Sequence, residues 1–152
     1  MKNIDARYRI FGSLFLLSNR LETVGNWFLD GLTTKQWFFM AVLDTFFEQP
    51  PTISELAAQM GSSHQNVKQL ALRLKEKGFV DVQKDQEDKR ALRVIPTAKA
   101  SDYAQSHHQK DEMFIAKLFD GFSVGEADSL LTGLDRLYAS LSRIEKEHNK
   151  DV

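Results

Sequence analysis

The side chains of this 152-residue chain best suited to gripping or reading a polyanion fall in one stretch. Residues 62–96 hold eight Lys and Arg against five Asp and Glu, a local net of +3 in a chain of net −1. Within it, Val67, Leu70, Ala71 and Leu74 recur at helical spacing and claim one face. The other faces carry His64, Gln65, Asn66, Lys68, Gln69, Arg73 and Lys75. Gln and Asn offer a donor and an acceptor side by side, which suits the edge of adenine; Lys and Arg suit guanine or phosphate. Phe79 to Gln83 then alternates as a strand, Lys84 to Lys89 forms a polar tip, and Arg90 to Ile95 returns as a second strand closed by Pro96. A polar helix alone fits a solvated surface. A polar helix beside a charged ribbon fits a duplex, with the helix in the major groove and the ribbon at the backbone or minor groove.

Two further groupings carry possible chemistry. His107 and Asp111, like His108 and Glu112, stand four apart on one helix, so a metal site is sterically allowed, although a hydrated helix face has the same pattern. The aromatics Phe11, Phe15, Trp27, Phe28, Trp37, Phe38, Phe39, Phe46 and Phe47 suit a core and an interface between copies, or the walls of an apolar ligand pocket. Enzyme classes find little support: the chain has no cysteine, no glycine-rich phosphate loop and no metalloprotease histidine pair, and no cofactor is implied. The absence of cysteine also excludes a disulfide scaffold and a thiol sensor. The apolar run Ile10 to Leu17 is too short to span a bilayer and has no small-residue cleavage site after it, so a cytoplasmic protein is expected.

The elements that must position the charged stretch follow from periodicity and caps. Ile10, Leu14, Leu17, Leu21, Val24 and Phe28 stripe a first helix over 7–29, weakened near its end by Gly25. Thr33 with Gln36 opens a second helix to about Phe47, apolar almost all round and so expected to be central. Pro50-Pro51 ends it. Thr52 with Glu55 caps a two-turn helix with Ile53, Leu56, Ala57 and Met60 on its buried face; Gly61 closes it, and Ser62 and Ser63 can both cap the next. After the ribbon, Thr97 can cap a helix from Ala98 to about Phe119. Ser123 with Glu126 opens a last helix to about His148, with Leu130, Leu134, Leu137, Leu141 and Ile144 on one stripe. The fold class is therefore mainly α with a small two- to three-stranded β wing.

These residues resemble the multiple antibiotic resistance regulator (MarR) family of bacterial transcription factors. The likeness rests on Leu32-Thr33-x-x-Gln36, Ile53-Ser54-Glu55-Leu56-Ala57, Gly61-x-Ser63, Leu74-x-x-x-Gly78-Phe79-Val80, Asp88-Lys89-Arg90-Ala91 and Thr97. It departs from the family at Val82, Gln83, Pro96 and Ala100. The resemblance implies an obligate homodimer, with residues 1–31 and 97–152 as the helical dimerisation region and 32–96 as a winged helix-turn-helix. It places Ser63, His64, Gln65, Asn66, Lys68 and Gln69 on the recognition helix. Arg90 becomes the wing arginine of the minor groove and Asp88 the acid that orients the wing. Arg73, Lys84 and Lys89 become phosphate contacts. It further implies a pseudo-palindromic operator, repression of transcription, and a small aromatic effector, for which Arg20, Trp37 and Met40 are candidate lining residues. Two other readings stay open: a zinc-responsive regulator of the same fold, and a winged-helix module that binds protein and not DNA.

Overall fold

The computed structural model describes residues 5–150; residues 1–4, counted above with the 1–31 segment, and residues 151–152 lie outside it. The chain is mainly α with a two-stranded antiparallel wing. It runs α1 (Ala6–Phe28), α2 (Thr34–Phe46), α3 (Ile53–Met60), α4 (His64–Glu76), β1 (Val80–Lys84), β2 (Leu92–Pro96), α5 (Ala98–Leu118) and α6 (Val124–His148). Two compact units divide within α5, one ending at His108 and the other beginning at Gln109.

The first unit is built on one apolar cluster. Phe39, Val42 and Leu43 of α2, Ile53, Leu56 and Ala57 of α3, and Val67, Ala71 and Leu74 of α4 meet Phe79, Val80 and Val94. Only one face of α2 is covered, however. α2 is central as expected, packing on α1, α3 and α4, but Phe38 and Phe46 on its other side are 45% and 59% exposed in the single chain. Gln36, by contrast, is buried at the start of α2 and receives the Lys77 ammonium at 2.8 Å, while the same ammonium donates to the Gly31 carbonyl at 2.7 Å.

The turns that set α4 follow the sequence closely. The Thr33–Gln36 and Thr52–Glu55 capping boxes both form. Gly61 takes φ 61° to close α3, and of the two candidate caps it is Ser63 whose hydroxyl accepts the Asn66 N–H at 3.2 Å. The far end of α4 closes as a Schellman motif: Phe79 N–H donates to the Leu74 carbonyl, Gly78 N–H to that of Lys75, with Gly78 at φ 81°. That turn consumes Phe79, so β1 begins at Val80. Gly25 plays a different part from the one expected. It is buried, and a Cβ there would collide with Thr34 Oγ1, so it is the point where α2 begins against α1. Thr97 also departs from expectation: its hydroxyl donates to the carbonyl of Gly78 at 2.6 Å, tying the start of α5 to the end of α4.

The second unit holds the rest of α5 and α6. The Ser123–Glu126 box opens α6 as expected. Leu130, Leu134, Leu137, Leu141 and Ile144 line one stripe, each between 40% and 59% exposed. Among the described residues, no helix is long and apolar enough to cross a membrane.

Candidate nucleic-acid interface

Burial of Val67, Ala71 and Leu74 fixes the roll of α4 on the core. His64, Gln65, Asn66, Gln69 and Arg73 are consequently exposed, and Lys68 is half-buried. Ser63 is committed to its capping bond. Lys75 is drawn away to Asp81 at 3.7 Å, so it belongs to the junction between α4 and β1.

The wing is a short ladder in which Val80 pairs with Pro96 and Lys84 with Leu92. Its second strand starts two residues later than periodicity suggests, because Arg90 and Ala91 are held in the turn. Asp85 N–H donates to the Ala91 carbonyl, and Ala91 N–H to that of Asp88. Asp88 accepts the backbone N–H of Arg90 at 3.0 Å. It thus orients the arginine's backbone, and the Arg90 side chain stands exposed at the tip beside exposed Lys89. Lys84 is exposed at the end of β1.

The residue that docks this wing was not singled out from sequence. Arg93 donates through Nε to the Asp85 carboxylate, reaches the Pro50 carbonyl at 2.6 Å, and lies 4.0 Å from Glu55. Thr52 bridges Arg93, and Val94 N–H donates to the Pro51 carbonyl, which leaves one bridge where a third strand would be. Asp85 also accepts the N–H groups of Asp88 and Glu87 at 2.9 and 3.2 Å. These bonds, the Asp88 N–H first and then the Arg93 guanidinium, hold its carboxyl below the ordinary range. The available signal was Asp85-x-x-Asp88, the spacing of an Asp that closes its own turn.

With the wing fixed to α3, the start of α4 and the wing turn line one cleft. This cleft of about 230 Å³ is lined by Thr52, which caps α3, Ser54 of α3, His64 of α4, and Asp88 and Arg90 of the wing turn. The structure therefore brings His64 and Arg90 onto one surface, 26 residues apart in sequence.

The remaining candidates lie elsewhere. Arg20 is exposed on α1; Trp37 and Met40 are half-buried on α2, Met40 against the core. His107 stacks on Tyr103 with ring centroids 3.8 Å apart, and its Nε2 lies 3.5 Å from Asp30. Among the described residues, no group of three His, Asp or Glu side chains is placed to hold a metal ion.

Comparison with known proteins finds the same fold. Residues 30–91 match the model of the MarR family. No curated protein matches the chain in sequence. Among solved structures, a MarR/EmrR family transcriptional regulator from Acinetobacter sp. ADP1 is 18% identical, with TM-score 0.77, covering 92% of this chain and 99% of its own. BpsR of Bordetella bronchiseptica, whose DNA binding is regulated by 6-hydroxynicotinic acid, is 16% identical with TM-score 0.74, covering 86% and 98%. FabT of Streptococcus pneumoniae, solved in complex with DNA, is 19% identical with TM-score 0.65, covering 91% and 99%.

Proposed function

From a chain that carries the MarR-family winged helix and the fold of MarR-type regulators, we propose a homodimeric, sequence-specific DNA-binding transcriptional regulator acting in the cytoplasm. The observation that carries this reading is the cleft that exposed His64 of α4 and exposed Arg90 of the wing line together. On this reading, His64, Gln65, Asn66 and Gln69 meet base edges, Arg90 enters the minor groove, and Lys68, Arg73, Lys84 and Lys89 grip phosphates.

Homodimerisation is supported by the apolar stripes of α1 and α6. Phe11 is 64% exposed, Leu17 55% and Leu141 58%. Faces of that kind mark association surfaces, and a two-fold partner covers both copies at once. Residues 1–31 and 97–152 are accordingly assigned to dimerisation and 32–96 to DNA. Two copies present two recognition helices to a pseudo-palindrome with half-sites about 10 bp apart. Bound at a promoter, the dimer acts as a repressor. The regulation of BpsR by 6-hydroxynicotinic acid supports a small aromatic effector here, received near Arg20, Trp37 and Met40 and acting by shifting the dimer between binding and non-binding spacings.

The test is a mobility-shift titration with duplex from the promoter beside the protein's own coding sequence, together with light scattering. The expected result is retention at low salt that falls steeply as salt rises, by a species of twice the chain mass. A monomer that retains no duplex at low salt and captures a protein partner would replace this reading with that of an interaction module.

A further inference from the structure

We infer that the recognition helix reads an A·T-rich half-site, with Gln65 and Gln69 on adenines and Leu72 on a thymine methyl. The inference rests on the DNA-binding reading above and names the sequence class that reading leaves open.

At about 100° per residue, the buried line of Val67, Ala71 and Leu74 fixes which side of α4 faces away from the core. Gln65, Gln69 and Leu72 fall on that opposite side, and all three are exposed. Gln65 to Gln69 rises about 6 Å and Leu72 about 4.5 Å more, against base pairs stacked about 3.4 Å apart. The stripe therefore spans roughly three base-pair steps.

Its chemistry is uneven in an informative way. The two glutamines can each give and accept a hydrogen bond at N6 and N7 of adenine. Leu72 is 38% exposed, an apolar side chain in line with them, and the apolar feature of the major groove is the thymine methyl. Among the cations that favour guanine, Lys68 is half-buried on the flank and Lys75 is paired with Asp81 at 3.7 Å. Arg73, four residues on from Gln69 and exposed beside this line, is the one assigned above to phosphate.

The experiment selects binding sequences for the full-length protein from a randomised duplex pool, then measures affinity by fluorescence anisotropy on the selected site and on its thymine-to-uracil form. Wild type should enrich A·T pairs at the major-groove positions. Gln65→Ala and Gln69→Ala should each flatten preference at one pair per half-site, by about five- to 150-fold. Removing the thymine methyl should weaken wild type about fourfold for each half-site, roughly 15-fold for the dimer, and leave Leu72→Ala unchanged. G·C pairs at those positions, or a uracil effect equal in wild type and Leu72→Ala, would overturn the assignment while leaving DNA binding intact. Enrichment of no sequence even at low salt would overturn the DNA-binding reading, and this inference with it.

Discussion

Arg93 on β2 is bonded through Nε to the carboxylate of Asp85, which opens the wing turn. The same guanidinium reaches the Pro50 carbonyl at 2.6 Å. One side chain thus joins the wing turn to the segment that enters α3 and helps to hold the wing against that segment. Asp85 has little exposed surface, 12% of its side chain, so the pair is better sheltered than a typical surface ion pair.

Breaking that pair should misplace Arg90 without removing a phosphate contact. Arg93→Met and Asp85→Asn are each expected to lower operator affinity roughly tenfold, the order of one lost contact, with the slope of affinity against salt unchanged. The double variant should be little worse than either single, because both remove one interaction. Arg93→Lys should recover part of the loss. A salt slope lowered by about 0.9 per protomer in Arg93→Met would mean that Arg93 touches a phosphate itself.

The tip residues should divide by role. Lys89→Ala is expected to weaken binding about equally across sequences and to reduce the salt slope by about one per protomer. Arg90→Ala should weaken operator binding more, and should cost most on sites with a narrow, A·T-rich minor groove, where the negative potential is strongest. Equal losses on all duplexes from both variants would place Arg90 on the backbone.

Gly25 is a packing position, so the usual benefit of alanine in a helix reverses there. Gly25→Ala would gain about 0.5–1 kcal/mol in an open helix. Against Thr34 it should instead cost about 1–3 kcal/mol, the usual penalty of overpacking. Thr34→Ala in the same chain should return part of that loss. Urea unfolding of the two variants measures both signs; a stabilised Gly25→Ala would refute the close approach.

Acid should destabilise the chain. The Thr52 N–H chiefly holds the Glu55 carboxyl below its ordinary range, the Asp88 N–H chiefly holds Asp85, and the Ser123 N–H chiefly holds Glu126. A carboxylate depressed by folding adds stability above its unfolded pKa, about 4. That stability is lost as pH falls through the lower folded value. The melting temperature is therefore expected to be nearly level from pH 7 to about 5 and to fall below about 4. Glu55→Gln should be less stable at neutral pH and lose less on acidification. A melting temperature that rose with acid would contradict the capping bonds.

Much of the fold was legible because local rules and tertiary structure agree. The three Ser or Thr capping boxes, the left-handed Gly61 and Gly78, and the apolar period of α4 are decided within a few residues of chain. Arg93 was not legible, since nothing local distinguishes it from any outward-facing strand residue; its partners are Asp85, eight residues back, and Pro50, 43 residues back. Lys77 was missed for the same reason: Gln36, its acceptor, is 41 residues away. Leu72 belonged to no pattern in the sequence; its place opposite the core follows from the burial of Val67, Ala71 and Leu74.

By itself, then, the sequence determined the order of elements, the ends of most helices, and the gathering of positive charge in residues 62–96. These depend on backbone caps, hydrophobic period and composition, which act over one or two turns. Only the tertiary structure decided that Gly25 packs against Thr34, and that Arg93 holds the wing where Arg90 and His64 line one cleft. Those outcomes depend on groups brought together across the chain, and a linear pattern cannot specify which distant carbonyl or carboxylate a buried or docked side chain will find.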